Sequence, residues 1–338
     1  MKKIVIALLA ASALGGVCSA GCGGAKVIYT LSEDGGKHYT VSCSGVIGLK
    51  GEYEIPAYYG EGDNYAPVTE IAAEGFSGSG FTKIKVPATV TEIGTAAFGF
   101  CYYLETVEFA EGIELESFAH GLFGNCRGLK SISVPDSVTA IEGLAFSGCT
   151  SLSSVDMGGV QTVGARAFDG CTALESISLP STLLTIGDRA FYRSGLKSVD
   201  IPQSVKDTVY TDSEGKEATR KGLGFGAFEL CTSLESARIG GGIKTLPSAA
   251  FGYCVSLKEV YIPLSVEEVQ GAYYEDGAFR FGHAFYGNKA LTDVYYAGDE
   301  QQWKDIAIET KTAFENNIAM NNDAIKNAQR HYNCKNYK

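Results

Sequence analysis

Cysteine is the residue type whose number and spacing in this sequence could carry chemistry. Ten cysteines occur in the 338 residues, and six recur at one position of a repeated phrase: Cys101, Cys126, Cys149, Cys171, Cys231 and Cys254. In an oxidising compartment, stacked copies of the phrase would bring neighbours such as Cys149 and Cys171 within bridging distance. In other copies the position holds Ser79, Ser194 or Asn288. That exchange favours a column of small, buried, reduced thiols over a set of bridges.

Histidine and glycine patterns indicate no catalytic or metal-binding set. No histidine has a second histidine four residues away, and the four are scattered: His38, His120, His283 and His331. They therefore suggest neither a zinc helix nor a Ser-His-Asp set. The phrase GLGFG at 222–226 lacks the third spaced glycine of a dinucleotide loop, and loop flexibility explains it better. We expect no enzymatic activity, no cofactor and no metal.

Composition and charge limit the class of partner. The net charge is -11, from 28 basic and 39 acidic residues, and no run of basic residues occurs. Nucleic-acid binding needs clustered cations against phosphate, and non-specific attraction to anionic membranes has the same requirement. We therefore expect a protein ligand first, a carbohydrate second, and no nucleic acid.

The first residues predict export. Two lysines, an apolar run over 4–14 and the small residues before position 21 are typical of a secretory signal peptide, residues 1–20. The sequence leading to Cys22 is also similar to a lipoprotein processing site, at which Cys22 would carry the lipid. Ser19 replaces the usual leucine there, so simple cleavage after Ala20 is an equal alternative. We expect a secreted or cell-surface protein that touches the membrane only through a lipid at Cys22, if one is attached.

A repeated phrase dominates the rest of the chain. AFSGCTSLSSVDM at 145–157 returns in nine copies, whose phenylalanines are Phe76, Phe98, Phe123, Phe146, Phe168, Phe191, Phe228, Phe251 and Phe285. Most steps are 22 to 25 residues, and two are longer, 37 and 34. Self-similarity at this period is the mark of a solenoid, in which each copy buries its apolar residues against its neighbours.

Each copy predicts one strand and one tight turn. The segment 174–179, LESISL, alternates apolar and polar residues, which is typical of a half-buried strand. Proline follows this segment in several copies and ends the strand, because it cannot donate a ladder hydrogen bond. Ile141 and Ala145 are four residues apart, so the segment before each phenylalanine predicts one short helical turn that points both inwards.

The full pattern, A-F-x-x-C-x-x-L-x-x-V-x-I-P-x-x-V-x-x-I-G, resembles the BspA-like leucine-rich repeats. The resemblance implies a leucine-rich repeat solenoid of about nine coils, each with a β-strand and a short turn or 3-10 helix, closed by a short C-terminal cap. It also implies a surface or secreted interaction protein, since some relatives are adhesins for host matrix proteins. Periodicity alone supports only the shape, because solenoids of one shape bind unrelated ligands.

The domain organisation follows from this pattern. After the signal peptide come an N-terminal segment at 21–52, the repeat region at 53–296 and the cap at 297–338. The two long steps contain insertions at about 206–222 and 270–283.

Candidate binding residues are those at outward strand positions where the residue type differs between copies of the repeat. The outward strand positions form a serine-rich field in the middle copies, whereas the last copies place Arg238, Tyr261 and Tyr295 there. Arginine and tyrosine are enriched at binding hot spots. The second insertion adds aromatic residues that either contact a ligand or fold back as local core: Tyr273, Tyr274, Phe279 and Phe281.

Three functions are compatible with these observations. The first is a non-catalytic protein that mediates adhesion by binding another protein, such as a host matrix protein. The second is a carbohydrate-binding module that uses the same tyrosines. The third is a structural component of the envelope with no discrete ligand.

Overall fold

Short parallel strands recur along the chain with the period of the repeat. This computed structural model describes residues 26–32, 37–44, 49–211, 217–275, 278–309 and 322–334. The contacts divide the chain into two units, Met1–Gly159 and Val160–Lys338. The predicted signal peptide and Cys22 lie outside the described residues.

Unit 1 begins with a small sheet and continues as repeated strands. Its strands are β1 (Lys26–Leu31), β2 (Tyr39–Ser44), β3 (Lys50–Glu54), β4 (Tyr58–Tyr59), β5 (Ala66–Ile71), β6 (Gly80–Val86), β7 (Glu92–Ile93), β8 (Thr106–Phe109), β9 (Ser117–Phe118), β10 (Ser131–Ser133), β11 (Ala140–Ile141) and β12 (Ser154–Asp156). Strands β1 and β2 form an antiparallel pair, and β2 continues in parallel to β5 and β7. The other repeat strands pair in parallel as β3-β6-β8, β10-β12 and β9-β11.

The parallel strands of unit 2 follow two different positions of the repeat. Its elements are β13 (Thr162–Val163), β14 (Thr185–Ile186), β15 (Ser198–Asp200), β16 (Thr208–Thr211), β17 (Glu217–Arg220), β18 (Ser236–Arg238), β19 (Thr245–Leu246), β20 (Glu259–Ile262), β21 (Glu268–Val269), β22 (Tyr273–Glu275), β23 (Ala278–Phe281), β24 (Asp293–Tyr296), α1 (Glu300–Lys304), β25 (Ala307–Ile308), α2 (Asp323–Asn327) and β26 (Gln329–His331). The larger sheet has the order β15-β18-β20-β24-β26, and the smaller has the order β19-β21-β25. The insertions form antiparallel hairpins, β16-β17 and β22-β23. Because β25 and β26 continue the two parallel sheets after the ninth phenylalanine, the count of nine coils and the separate cap stay predictions.

A column of stacked phenylalanines forms the core of each unit. The repeat phenylalanines are fully buried. In unit 2, the ring centroids of Phe168 and Phe191 are 5.1 Å apart, those of Phe191 and Phe228 5.3 Å, and those of Phe228 and Phe251 5.4 Å. Ring planes in these pairs differ by no more than 6°. The repeat therefore places each ring on the next, as the sequence predicts for a stack of copies.

The turn before each phenylalanine differs from the predicted helical turn. In the first eight copies, the residues two before and two after the phenylalanine are left-handed; around Phe191 they are Arg189 (φ 55°) and Arg193 (φ 56°). Left-handed and right-handed residues alternate in this turn. As a result, every second backbone N–H donates to a carbonyl oxygen of the next copy, as Phe191 N does to the Ala227 oxygen at 2.8 Å. A helix would use these groups within one copy. The prediction of a helical turn is wrong, although Ile141 and Ala145 are both buried.

One predicted strand is also absent. Residues 174–179 do not form a β-strand, and Ile177 and Leu179 are only half-buried. A backbone hydrogen bond from Lys197 N to the Glu175 oxygen, 2.9 Å, joins this segment to the next copy. Alternation of residue types decides which side chains face inwards, but a strand also needs a regular ladder of hydrogen bonds.

Candidate binding surface

The outward positions of the larger sheet of unit 2 form a polar and aromatic face. Between them, Val199, Ala237, Val260 and Val294 are buried, each no more than 4% exposed. The predicted outward residues are half-buried or exposed, and they include Asp200, Arg238, Tyr261 and Tyr295. This alternation confirms the assignment of faces that the sequence predicts for these strands.

Three of these residues stack with a fourth residue, His331, across four strands. The Arg238 guanidinium lies 4.4 Å from the centroid of the Tyr261 ring. The Tyr261 and Tyr295 rings are 4.6 Å apart at 11°, and the Tyr295 and His331 rings are 4.6 Å apart at 14°. We call Arg238, Tyr261, Tyr295 and His331 the aromatic column.

Parallel pairing in register produces the column. Arg238 pairs with Tyr261, Tyr261 with Tyr295, and Tyr295 with His331. Neighbouring strands lie about 4.8 Å apart, which is close to the separation of stacked rings. The sequence predicts three members but misses His331, because β26 follows a long segment without the repeat phrase. The order polar-x-ring in Gln329–His331 matches that in Asp293–Tyr295 and is the signal that could have found it.

Carboxylates border the column. His331 Nε2 lies 2.8 Å from Asp293 Oδ1, and this hydrogen bond holds the pKa of Asp293 below its usual value. Partial burial, followed by the nearby Glu259 carboxylate, raises the pKa of Tyr261; burial and Asp293 do the same for Tyr295. Both tyrosine hydroxyls therefore remain neutral donors at neutral pH.

The second insertion places its aromatic residues on a hairpin. In backbone register, Tyr273 pairs with Phe281 and Tyr274 pairs with Phe279. For 273–275 and 278–281 the structure describes the backbone alone. The role of these aromatic side chains in binding or in a local core therefore stays a prediction.

Comparison with protein families agrees with the repeat. A model described as a BspA type leucine rich repeat region matches in six copies, over residues 69–160, 158–211 and 217–279. These segments cover more than half of the chain. The chain belongs to the BspA-type leucine-rich repeat family.

Solved leucine-rich repeat structures are similar to this BspA-type chain. A leucine rich cell surface protein from Faecalibacterium prausnitzii is 21% identical, with coverage of 85% of this chain and 97% of that one and a TM-score of 0.46. The pneumococcal vaccine antigen PcpA is 18% identical, with coverage of 83% and 93% and a TM-score of 0.39. A leucine-rich repeat protein from Bacteroides ovatus is 20% identical, with coverage of 90% and 98% and a TM-score of 0.37. No protein with a curated description matches the chain.

The cysteine position of the BspA-type repeat is a hydrogen-bonded column. Five thiols donate to the carbonyl oxygen of the phenylalanine in the preceding copy, those of Cys101, Cys126, Cys149, Cys231 and Cys254. Cys126 Sγ lies 3.0 Å from the Phe98 oxygen, and Cys231 Sγ lies 3.0 Å from the Phe191 oxygen. Ser194 replaces cysteine without leaving the column, because its Oγ lies 3.2 Å from Cys231 Sγ. The position therefore takes a small, buried side chain, whether cysteine, Ser79, Ser194 or Asn288.

Native thiols in this column should resist alkylation. Burial raises the pKa of Cys149 and that of Cys231 to about 12, and both side chains are fully buried. The thiolate is the reactive form, so iodoacetamide at pH 8 should label these cysteines slowly in the native protein and completely after denaturation. Peptide mass spectrometry measures both fractions. Rapid labelling of native Cys149 would contradict the buried column, and a disulfide-linked peptide would contradict the reduced state.

A buried ion pair joins three copies on the turn side of unit 2. Glu229 is 5% exposed and accepts from Arg189 Nε at 3.2 Å and from the Tyr286 hydroxyl. The guanidinium groups of Arg189 and Arg193 lie 5.0 and 4.9 Å from the Tyr192 ring. Sequence reasoning misses this network because its residues are 40 and 57 positions apart.

The described part of the chain shows no metal centre and no membrane span. No group of three or more His, Cys, Asp or Glu residues there is arranged to hold a metal ion. Within the same ranges, no helix has the length and apolar character that crossing a bilayer requires.

Proposed function

We propose that this protein is an exported, non-catalytic surface protein that binds another protein through the strand face of unit 2. The aromatic column is the observation that supports this proposal. It presents a guanidinium, two tyrosine hydroxyls and an imidazole in one line on a rigid parallel sheet. Tyrosine and arginine contribute most to protein interfaces when they are held rigidly, because less side-chain entropy is lost on binding.

The stacking favours a protein partner over a carbohydrate at this face. Arg238 and Tyr295 lie on the two sides of Tyr261, and Tyr261 and His331 lie on the two sides of Tyr295. The ring faces are therefore covered, and ring edges and hydroxyl groups are left for contact. Sugar C–H groups pack on open ring faces, whereas protein side chains also contact aromatic edges and hydroxyls.

Export and surface location are part of the proposal. The sequence supports them through the leader predicted at 1–20. Among similar structures, the one from Faecalibacterium prausnitzii is described as a cell surface protein. Binding of a host matrix protein would be the function of such a surface.

A panel of immobilised, purified extracellular matrix proteins tests the proposal. We expect saturable binding to at least one of them, and a loss of tenfold or more in affinity for Tyr295→Ala. Tyr295→Phe keeps the stack and separates the role of the ring from that of the hydroxyl. Ser198→Ala is the matched control, because Ser198 is an exposed residue on β15, the first strand of the same sheet. Circular dichroism and thermal unfolding establish that each variant is folded.

Two outcomes would contradict the proposal. One is the absence of binding by the folded protein across the panel, which would favour a structural envelope component. The other is binding that Tyr261→Ala and Tyr295→Ala leave unchanged, which would move the interface away from the column.

A further inference from the structure

A second group of aromatic residues is exposed in unit 1. Phe100, Tyr102 and Tyr103 are 49%, 46% and 67% exposed. They stand in the turn around Cys101, where the opening phrase of the repeat has Gly148, Thr150 and Ser151 around Cys149. Three of the large apolar side chains that are exposed in the described residues thus fall within four positions.

Phe100 occupies a position that suits glycine. Its φ is 60°, in the left-handed region; the equivalent residues are Gly78, Asn125 and Gly148 in neighbouring copies, and Arg193, Leu230 and Tyr253 in later copies. A bulky side chain is disfavoured in this conformation. The Phe100 ring is half-exposed and adds little to the core, so its packing does not explain its presence. Since large residues recur at this position, the exposure of the ring, rather than the backbone conformation, is the indication of function.

Arg127 in the next copy completes the group. Its guanidinium lies 5.0 Å from the centroid of the Tyr102 ring, and the Phe100 ring meets Tyr102 edge-on at 81°. The next residue is Gly128, where a Cβ atom would lie 3.0 Å from the Tyr102 carbonyl oxygen. This close approach places Arg127 over Tyr102. We call Phe100, Tyr102, Tyr103 and Arg127 the aromatic patch.

We propose that the aromatic patch binds a neutral oligosaccharide. Sugars offer a C–H face that packs on aromatic rings and hydroxyl groups that accept from N–H groups. The Phe100 and Tyr102 rings meet at 81° with centroids 6.4 Å apart, and among the described residues no ring lies parallel to Phe100 or to Tyr103 in a stack. A guanidinium whose face lies on a ring has its N–H groups in its own plane, where they can donate to sugar hydroxyls beside that ring.

Size and charge decide between classes of ligand. The turn residues beside the patch, Gly78, Gly99, Gly124 and Asn125, are small or polar, so the apolar area is limited to three rings. A stable protein interface buries roughly 1,200–2,000 Å² in total, which is far more than three rings supply. A net charge of -11 disfavours polyanionic glycans. A short neutral sugar chain fits both limits.

Binding of the full chain to an array of multivalent neutral oligosaccharides tests this proposal, with uronic-acid oligosaccharides and Asp/Glu-rich peptides in parallel wells. We expect saturable binding to at least one neutral sugar, and a loss of tenfold or more for Tyr103→Ala and for Arg127→Ala. Phe100→Gly should lose binding to a similar extent without lowering the melting temperature, because glycine suits a φ of 60°. Tyr58→Ala removes another exposed aromatic residue of unit 1, 50% exposed, and should bind as the parent does.

The proposal is overturned if the folded protein binds no neutral sugar, or if it binds only the acidic oligosaccharides or the peptides. Equal binding by the parent and the three patch variants would also overturn it, as would an equal loss in Tyr58→Ala. The patch and the aromatic column share no residue, so each result is read independently of the matrix-protein panel.

Discussion

Replacing Phe191 with alanine should lower the free energy of unfolding by about 3–5 kcal/mol. The Phe191 ring is fully buried and stacks at 5.1 Å on Phe168 and at 5.3 Å on Phe228. Truncation would remove both contacts and leave a cavity that the hydrogen-bonded turns on either side cannot close. Urea unfolding followed by circular dichroism measures the change.

Two variants of the same unit serve as controls for this measurement. Phe191→Leu keeps most of the volume and should cost less than about 1.5 kcal/mol. Ser198→Ala changes an exposed residue and should stay within about 0.5 kcal/mol of the parent. An unchanged unfolding midpoint in Phe191→Ala would contradict the assignment of the phenylalanine column as the core.

Replacing Arg189 with methionine should destabilise the protein by about 3 kcal/mol, the lower end of the range for breaking a buried ion pair. The substitution leaves the Glu229 carboxylate, whose side chain is 7% exposed, with the Tyr286 hydroxyl as its other donor. The Arg189 side chain is 21% exposed, which is why the lower end applies. Chemical denaturation of the variant and the parent at pH 7 measures the difference.

A double variant identifies the cause of that loss. Arg189→Met with Glu229→Gln removes the buried charge and keeps an oxygen that can accept from Tyr286, so it should recover most of the stability. Arg193→Met is the matched control, because its exposed guanidinium lies on the same Tyr192 ring. If Arg189→Met and Arg193→Met were equally stable, the buried pair would not be the cause.

Side-chain burial could be predicted from the sequence for most positions of the repeat phrase, although Ile177 and Leu179 are only half-buried. Phe146, Cys149 and Leu152 are buried, and Ser154 and Asp156 are exposed, as their places in the phrase predict. The tyrosines of the aromatic column were predicted for the same reason, since they occupy outward strand positions. Such predictions succeed because each copy packs on a similar copy. Equivalent positions in successive copies therefore have similar neighbours.

Conformation and long-range pairing could not be predicted in the same way. The left-handed residues beside the phenylalanines, such as Ala96 and Arg166, have no residue type in common that would indicate a positive φ. Hydrogen bonds to the next copy hold them in that conformation, and these bonds exist only after the copies have stacked.

The repeat, its family and the inward or outward direction of most strand side chains could be predicted from the sequence alone, because these depend on periods of two and of about 23 residues. Tertiary packing was needed to bring particular outward residues together. It placed His331 at the end of the column, Arg127 over Tyr102 and Arg189 on Glu229. Because the copies stack in register, residues of different copies come to within about 5 Å in the paired strands and in the turns, whatever the length of the chain between them.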